Sequence, residues 1–318
     1  MSSRDAHPTG GVDYPRTLQE FDKWFSTEQA CNDYLLRLRW PYGFVCPICS
    51  EPKGWKIGAD LIRCAACRHN VSVTAGTIFQ GTRKPLKLWF QAIWYVTSQK
   101  FGGNALGLQR VLGLGSYQTA WSWLHKMRRA MVRPGRDKLN GNVEVDETLI
   151  GGEDQGGKRG RGAGRKSIVT IAVEVHNPKG FGRVRMQRIP DASAQSLIPF
   201  IESSVTKGST VLTDSWRGYT GIEQHGYIHK RVKLSDNGDP AHIAMPGVHR
   251  ISSLLKRWII GTHQGSVSQK YLDYYLDEYT FRFNRRTSKA RGLLFYRLLQ
   301  QAVEVPPTTY KEMTTGNK

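Results

Sequence analysis

Four residues of this chain could together cut and join a phosphodiester: Asp146, Asp214, His249 and Lys256. That chemistry needs a deprotonated nucleophile, an in-line leaving oxygen and positive charge to neutralise both. Two divalent cations about 3.5–4 Å apart supply all three when hard oxygen ligands hold them. Asp146 ends the alternating stretch Val143-Glu144-Val145-Asp146, and Asp214 ends Thr210-Val211-Leu212-Thr213-Asp214. Carboxylates at the ends of two strands can meet side by side in one sheet, whereas strand alternation turns Glu147 to the opposite face. Either Asp alone would also suit a turn or a helix cap; the two together are what suit a metal pair. No carboxylate occurs between Asp239 and Asp273, and the helical segment there offers His249, with 34 residues between it and Asp214. A neutral imidazole takes Mn²⁺ more readily than Mg²⁺. Glu278 is the acidic competitor, but 63 residues separate it from Asp214, and Tyr275, Tyr279, Phe281 and Phe283 around it read as core packing. Lys256 follows His249 by seven residues, two helical turns on one face, where it can contact a phosphate. The set points to phosphoryl transfer on DNA, with two Mg²⁺ or Mn²⁺ ions as catalytic cofactors.

A second constellation has a different purpose. Cys46-Pro-Ile-Cys49 and Cys64-Ala-Ala-Cys67 are two knuckles with fourteen residues between them. Each gives two thiolates at the bite of a tetrahedral ion, the signature of a closed structural zinc site. A pair of disulfides is disfavoured in the reducing compartment that the rest of the composition suggests. Cys31, on a helical pattern with Tyr34, Leu35 and Leu38, reads as a small core residue, and His69 as a surface residue.

The charge names the partner. Lys and Arg number 46 against 26 Asp and Glu, a formal net charge of +20 over 318 residues. So large a surplus repels itself unless a polyanion neutralises part of it, and double-stranded DNA is the first candidate. An anionic membrane is second, but no run of about 18 apolar residues occurs and the start is polar, so neither a membrane span nor a signal peptide is expected. The expected location is cytoplasmic and nucleoid-associated.

The elements that must position these groups fall into five stretches. Residues 1–40 read as a disordered arm followed by one or two amphipathic helices, with Ser26 and Gln29 resembling a capping box. Residues 41–82 read as a zinc ribbon. Residues 83–137 read as a helix-turn-helix region: a helix opened by Pro85, a helix over 105–112, the turn Gly113-Leu114-Gly115, and a basic helix capped by Ser116. That last helix is expected to bury Ala120, Leu124 and Met127 and to expose Gln118, His125, Lys126, Arg128 and Arg129. Of these, Gln118, Lys126, Arg128 and Arg129 are candidate DNA contacts. From 138 to 300 the pattern predicts an α/β catalytic core with a mixed sheet: strands at 143–150, 167–175 and 182–189, a helix at 192–205, the Asp214 strand, a strand near 227–234, and helices at 248–260 and 268–286. This order agrees with an RNase H-like core. Residues 301–318 read as a flexible tail. Between the first two strands, residues 151–166 carry many glycines and the cations Lys158, Arg159, Arg161, Arg165 and Lys166. That composition suits a mobile loop clamping phosphates beside Asp146, with Lys256 and Arg257 adding to the DNA surface.

The ordered motifs resemble a known family. They are Leu38-Arg39-Trp40-Pro41 running into Cys46 and Cys49, Gly76-Thr77-Ile78-Phe79, Val145-Asp146-Glu147-Thr148 with Ile150-Gly151-Gly152, Thr213-Asp214-Ser215 with Gly218-Tyr219, Leu254-Leu255-Lys256-Arg257-Trp258, and Phe281-Arg282-Phe283-Asn284-Arg285. Together they resemble a DDE-type insertion-sequence transposase of the zinc-ribbon, ISXO-like group, over about residues 31–286. The resemblance implies Asp146 and Asp214 as metal ligands and Lys256 as the lysine seven residues after the third ligand. That third place is usually acidic in DDE enzymes, and in this group Asn or His can stand there, as His249 does. The implied activity is DNA transposition: element ends are bound and cleaved to free a 3′-hydroxyl, which is joined to target DNA. Joining two ends implies at least a homodimer on DNA. The rival readings are a DNA-binding regulator that keeps the fold without the chemistry, and a host nuclease, which leaves the DNA-binding front end unexplained.

Overall fold

A computed structural model of the chain describes residues 7–58, 60–133, 135–151, 166–176, 180–232, 244–265 and 267–315. They divide into two compact units, Met1–Arg133 with Thr287–Lys318, and Pro134–Arg286.

In the first unit, helices α1 (Leu18–Trp24) and α2 (Glu28–Arg39) open on Thr17 and Thr27, whose side chains accept from the Glu20 and Ala30 N–H groups. The cap of α2 is thus one residue beyond the expected Ser26; the Ser26 carbonyl instead accepts from Lys87 Nζ at 3.0 Å. Strands β1 (Gly54–Lys56), β2 (Leu61–Cys64) and β3 (Asn70–Ser72) form an antiparallel sheet, too small for a core of its own beyond Cys46, Cys64 and Val71. Helix α3 (Leu86–Ser98) buries Leu86, Trp89, Phe90, Ile93, Trp94 and Val96, the period-3.6 stripe legible in the sequence. Pro85 gives it no side-chain cap, so Glu28 reaches over from α2 and accepts from the Leu86 and Lys87 N–H groups at 2.6 and 3.0 Å.

Helix α4 (Ala105–Leu112) ends on Gly113 at φ 61°, the left-handed turn that glycine allows, and Ser116 caps α5 (Tyr117–Ala130). The buried face of α5 is wider than expected. Ala120, Leu124 and Met127 are buried, but so are His125 and Arg128, the latter only 2 % exposed. Two C-terminal helices join this unit. Helices α9 (Arg291–Ala302) and α10 (Tyr310–Thr315) pack on α5, with the Tyr310 and Trp121 rings 5.8 Å apart. Phe295 of α9 lies among Phe21, Phe25, Phe90 and Trp94, with ring centroids 5.4–5.8 Å away. The last 32 residues therefore belong with the N-terminal unit, where the sequence suggested the end of the core and a flexible tail.

The second unit is a mixed five-stranded sheet in the order β6-β5-β4-β7-β8. Strands β4 (Asn142–Ile150), β5 (Ser167–Val175) and β6 (Phe181–Ile189) are antiparallel; β7 (Thr210–Thr213) and β8 (Ile228–Arg231) run parallel to β4. Strand β5 is buried along both faces, which its unbroken apolar run requires. Val143, Val145 and Ala172 pack on Leu197, Phe200 and Ile201 of α6 (Ala194–Ser204). On the opposite face, Ile150, Val169, Ile171 and Val173 pack on Val248, Ile251 and Leu255 of α7 (Pro246–His263) and Leu272 and Leu276 of α8 (Leu272–Phe283).

Candidate catalytic and metal sites

Strand pairing sets the acidic pair. β4 and β7 run in parallel with Asn142 opposite Thr210, Val143 opposite Val211 and Glu144 opposite Leu212. Continuing that register by two residues sets Asp146 level with Asp214, just past the C-terminal end of β7, with both half-buried. The backbone of Trp216 turns back to donate its N–H to Asp214 Oδ1 at 3.0 Å, which orients that carboxylate.

Asp146 lies between two residues that tie its strand to α7. Glu144 Oε2 accepts from the Val248 N–H at 3.0 Å, and Thr148 Oγ1 accepts from Ser252 Oγ at 2.7 Å. Alternation puts Asp146 on that same face, so it looks toward the turns of α7 that carry His249, itself half-buried. The Ser252 hydroxyl makes this link, while the neighbouring Ser253 is exposed. Glu144 substitutes for a missing cap, because Met245 at the start of α7 makes no side-chain bond. Burial raises the Glu144 carboxyl above its ordinary value, against the pull of the Val248 and Gly247 N–H groups. The approach needs Gly247, since a Cβ there would lie 2.8 Å from Glu144 Oε2.

On the opposite face of β4, Glu147 accepts a 2.8 Å bond from the hydroxyl of Tyr219, which is fully buried. Burial first, then the charges of Glu147, Asp146 and Asp214, raise the Tyr219 phenol well above its ordinary value, so it stays a donor. Tyr219 returns beneath the acidic pair because the chain turns tightly at Gly218, where a Cβ would sit 2.4 Å from the Ala192 carbonyl oxygen. Glu144 and Tyr219 were not singled out as site residues from the sequence. The only signal was their membership of motifs around the two Asp residues.

Lys256 is exposed, and partial desolvation followed by the nearby Lys166 cation lowers its ammonium below the ordinary value. Arg257 is exposed. Glu278 is fully buried on α8 and takes a 2.9 Å bond from Arg282 Nε, and α8 packs on β6, two strands away from β4. This position does not bring Glu278 to the acidic pair. Among the described residues, the ligand atoms of Asp146, Asp214 and His249 are not gathered to within 4.8 Å, as those of the four cysteines are.

The cysteines form a complete structural zinc-binding cluster, all four sulfurs lying within 4.8 Å of one another. The two knuckles interlock, with Cys46 Sγ 3.7 Å from Cys67 Sγ and Cys49 Sγ 3.5 Å from Cys64 Sγ. Ser50 and Arg68, each directly after the second cysteine of its knuckle, share a left-handed backbone at φ 61° and 59°. Burial raises the Cys46 thiol, but the Cys49 and Ile48 N–H groups and the neighbouring thiols outweigh it and hold the thiol down at about 7. The His69 N–H lowers Cys67, yet burial and the other three sulfurs push it up to about 12. Four sulfurs this close cannot all ionise without a compensating cation, and a tetrahedral divalent ion is the fit. Cys31 is buried and apart from them, as expected.

Of the expected DNA contacts on α5, Gln118 is exposed, Lys126 and Arg129 are half-buried, and Arg128 is not available at the surface. Lys158, Arg159, Arg161 and Arg165 lie outside the described residues.

A half-buried carboxylate pair on a mixed sheet, in a chain that also carries a four-cysteine ribbon, defines a recognisable class. Residues 138–284 match the family described as ISXO2-like transposase domain, and residues 26–70 match the transposase zinc-ribbon domain. The chain belongs to the DDE-type transposases of the ISXO-like zinc-ribbon family. It is 26 % identical over 279 residues to the "Uncharacterized protein in transposable element ISH50" of Halobacterium salinarum, covering 82 % of this chain and 92 % of that one. It is 23 % identical over 112 residues to an "Uncharacterized transposase-like protein" of Haemophilus influenzae, covering 35 % and 89 %. The catalytic core domain of BIV integrase aligns at a TM-score of 0.33 and 16 % identity, over 48 % of this chain and 89 % of that one. No helix among the described residues is long and apolar enough to cross a membrane.

Proposed function

We propose that this protein is an active DNA transposase with an RNase H-like core, which cleaves element ends to free a 3′-hydroxyl and joins it to target DNA. What supports the reading most is the β4–β7 register, which sets Asp146 level with Asp214 on the sheet face that looks toward His249. The donor set suits hard divalent ions, two carboxylates and one imidazole, with His249 favouring Mn²⁺. Bound there, Mg²⁺ or Mn²⁺ would neutralise charge on the attacking and leaving oxygens. The chain's own groups do the rest. Glu144 and the Ser252–Thr148 pair tie the turns of α7 on either side of His249 to β4. Tyr219 keeps Glu147 engaged on the other face, leaving Asp146 as the acidic group beside Asp214. Lys256, exposed on α7, would hold a phosphate flanking the scissile bond, with Lys166 adding positive charge. The zinc ribbon and the α4–α5 pair, a helix-turn-helix in this reading, would grip the element ends, with Gln118, Lys126, Arg129 and Arg257 as contacts. Two copies would be needed to join two ends. The test is a strand-transfer assay with Mg²⁺ or Mn²⁺ on the inverted repeats flanking the reading frame. Joined product supports the proposal, and end binding without cleavage in either metal makes the chain a DNA-binding regulator instead.

A further inference from the structure

A buried chain of polar groups runs to Asp214 from the far side of the sheet. Thr213, the last residue of β7, is fully buried, and its Oγ1 donates to the Asp214 carbonyl oxygen at 2.7 Å. The same hydroxyl oxygen lies 2.9 Å from His229 Nε2. His229 lies on β8 with its side chain 1 % exposed, and its Nδ1 is 3.1 Å from Glu223 Oε1. Glu223 is also 3.8 Å from Arg231 of the same strand, which anchors it at the surface. The parallel pairing of β7 and β8, with Thr213 opposite Arg231, brings these groups together.

We propose that His229 is a positioning residue for Asp214: held by Glu223, it fixes the Thr213 hydroxyl, which fixes the backbone at Asp214. This rests on the reading of Asp214 as a metal ligand. The strand ends at Thr213, whose carbonyl still accepts from the Val232 N–H at 2.8 Å, and the Thr213 hydroxyl carries the constraint one residue further, to the Asp214 carbonyl. Groups one step removed from a metal ligand set its orientation, and losing them commonly weakens metal binding about 10- to 100-fold.

The experiment measures Mn²⁺ binding to the zinc-loaded full chain without DNA, from the spin-resonance signal of free Mn²⁺. Asp214→Ala gives the baseline, and thermal unfolding is followed in parallel. Thr213→Val, equal in shape but lacking the hydroxyl, should weaken Mn²⁺ binding about 10- to 100-fold, whereas Thr213→Ser should bind as the wild type does. Glu223→Gln, at a half-exposed side chain where folding is not at stake, should weaken it by a smaller factor. A merely structural role would lower the unfolding temperature and leave Mn²⁺ affinity alone. Wild-type Mn²⁺ affinity in both Thr213→Val and Glu223→Gln overturns the proposal; if Thr213→Val does not fold, Glu223→Gln decides. Equal Mn²⁺ binding by the wild type and Asp214→Ala removes the metal reading of Asp214 itself, a failure distinct from that of His229.

Discussion

At Glu144 the chain buries a carboxylate two residues before Asp146 and uses it to receive the start of α7. Its position was legible only as part of an alternating strand, because its partner Val248 is 104 residues away. The same holds for Tyr219, 72 residues from Glu147. By contrast, Asp146 and Asp214 stood out because each closes an apolar alternation, and that is a local pattern. Removing the Glu144 side chain should leave buried N–H groups of α7 without an acceptor, which costs about 1–3 kcal/mol. Glu144→Ala is therefore expected to lose about that much stability in chemical unfolding. Glu144→Gln, which keeps an acceptor oxygen of the same reach, should lose less. Equal losses in the two variants would show that packing, not the hydrogen bond, is what matters there.

Elements were legible wherever periodicity was strong. All three long strands and α3 lie within a residue or two of where alternation and the 3.6 period put them, and β5 is buried on both faces as its composition requires. Assigning helices to partners was harder. An amphipathic stripe says that a helix is covered but not by what, so α9 gave no sign of packing on α3, and α10 no sign of covering α5. His125 and Arg128, polar by type, are buried on α5, which the sequence pattern of that helix did not signal. The zinc ribbon is the opposite case, since ligand spacing alone identifies it. With a core of Cys46, Cys64 and Val71 under Trp40 and Phe44 among the described residues, its folding should depend on the ion. Chelation should release one zinc per chain and unfold the ribbon while leaving the sheet of the second unit intact, seen as loss of amide protection confined to residues 41–82. Protection that persists in metal-free protein would contradict a structural role.

For the whole molecule, the net charge of +20 makes DNA affinity an electrostatic quantity first. The slope of log affinity against log salt should be steep, about −0.9 per phosphate neutralised. Replacing Lys158, Arg159, Arg161 and Arg165 together should flatten it and weaken binding to every sequence alike, whereas Gln118→Ala should change the preference for element ends. An unchanged slope in the loop variant would remove the clamp from the account.

The central claim, that Asp146 and Asp214 carry metal-dependent cleavage, meets its most direct test in one assay on the element's own ends, with end binding measured on the same samples. The wild type should cleave and join in Mn²⁺, and less readily in Mg²⁺, while Asp146→Ala and Asp214→Ala should bind the ends normally and yield no cleaved product. Cleavage by either alanine variant at the wild-type rate would contradict the account.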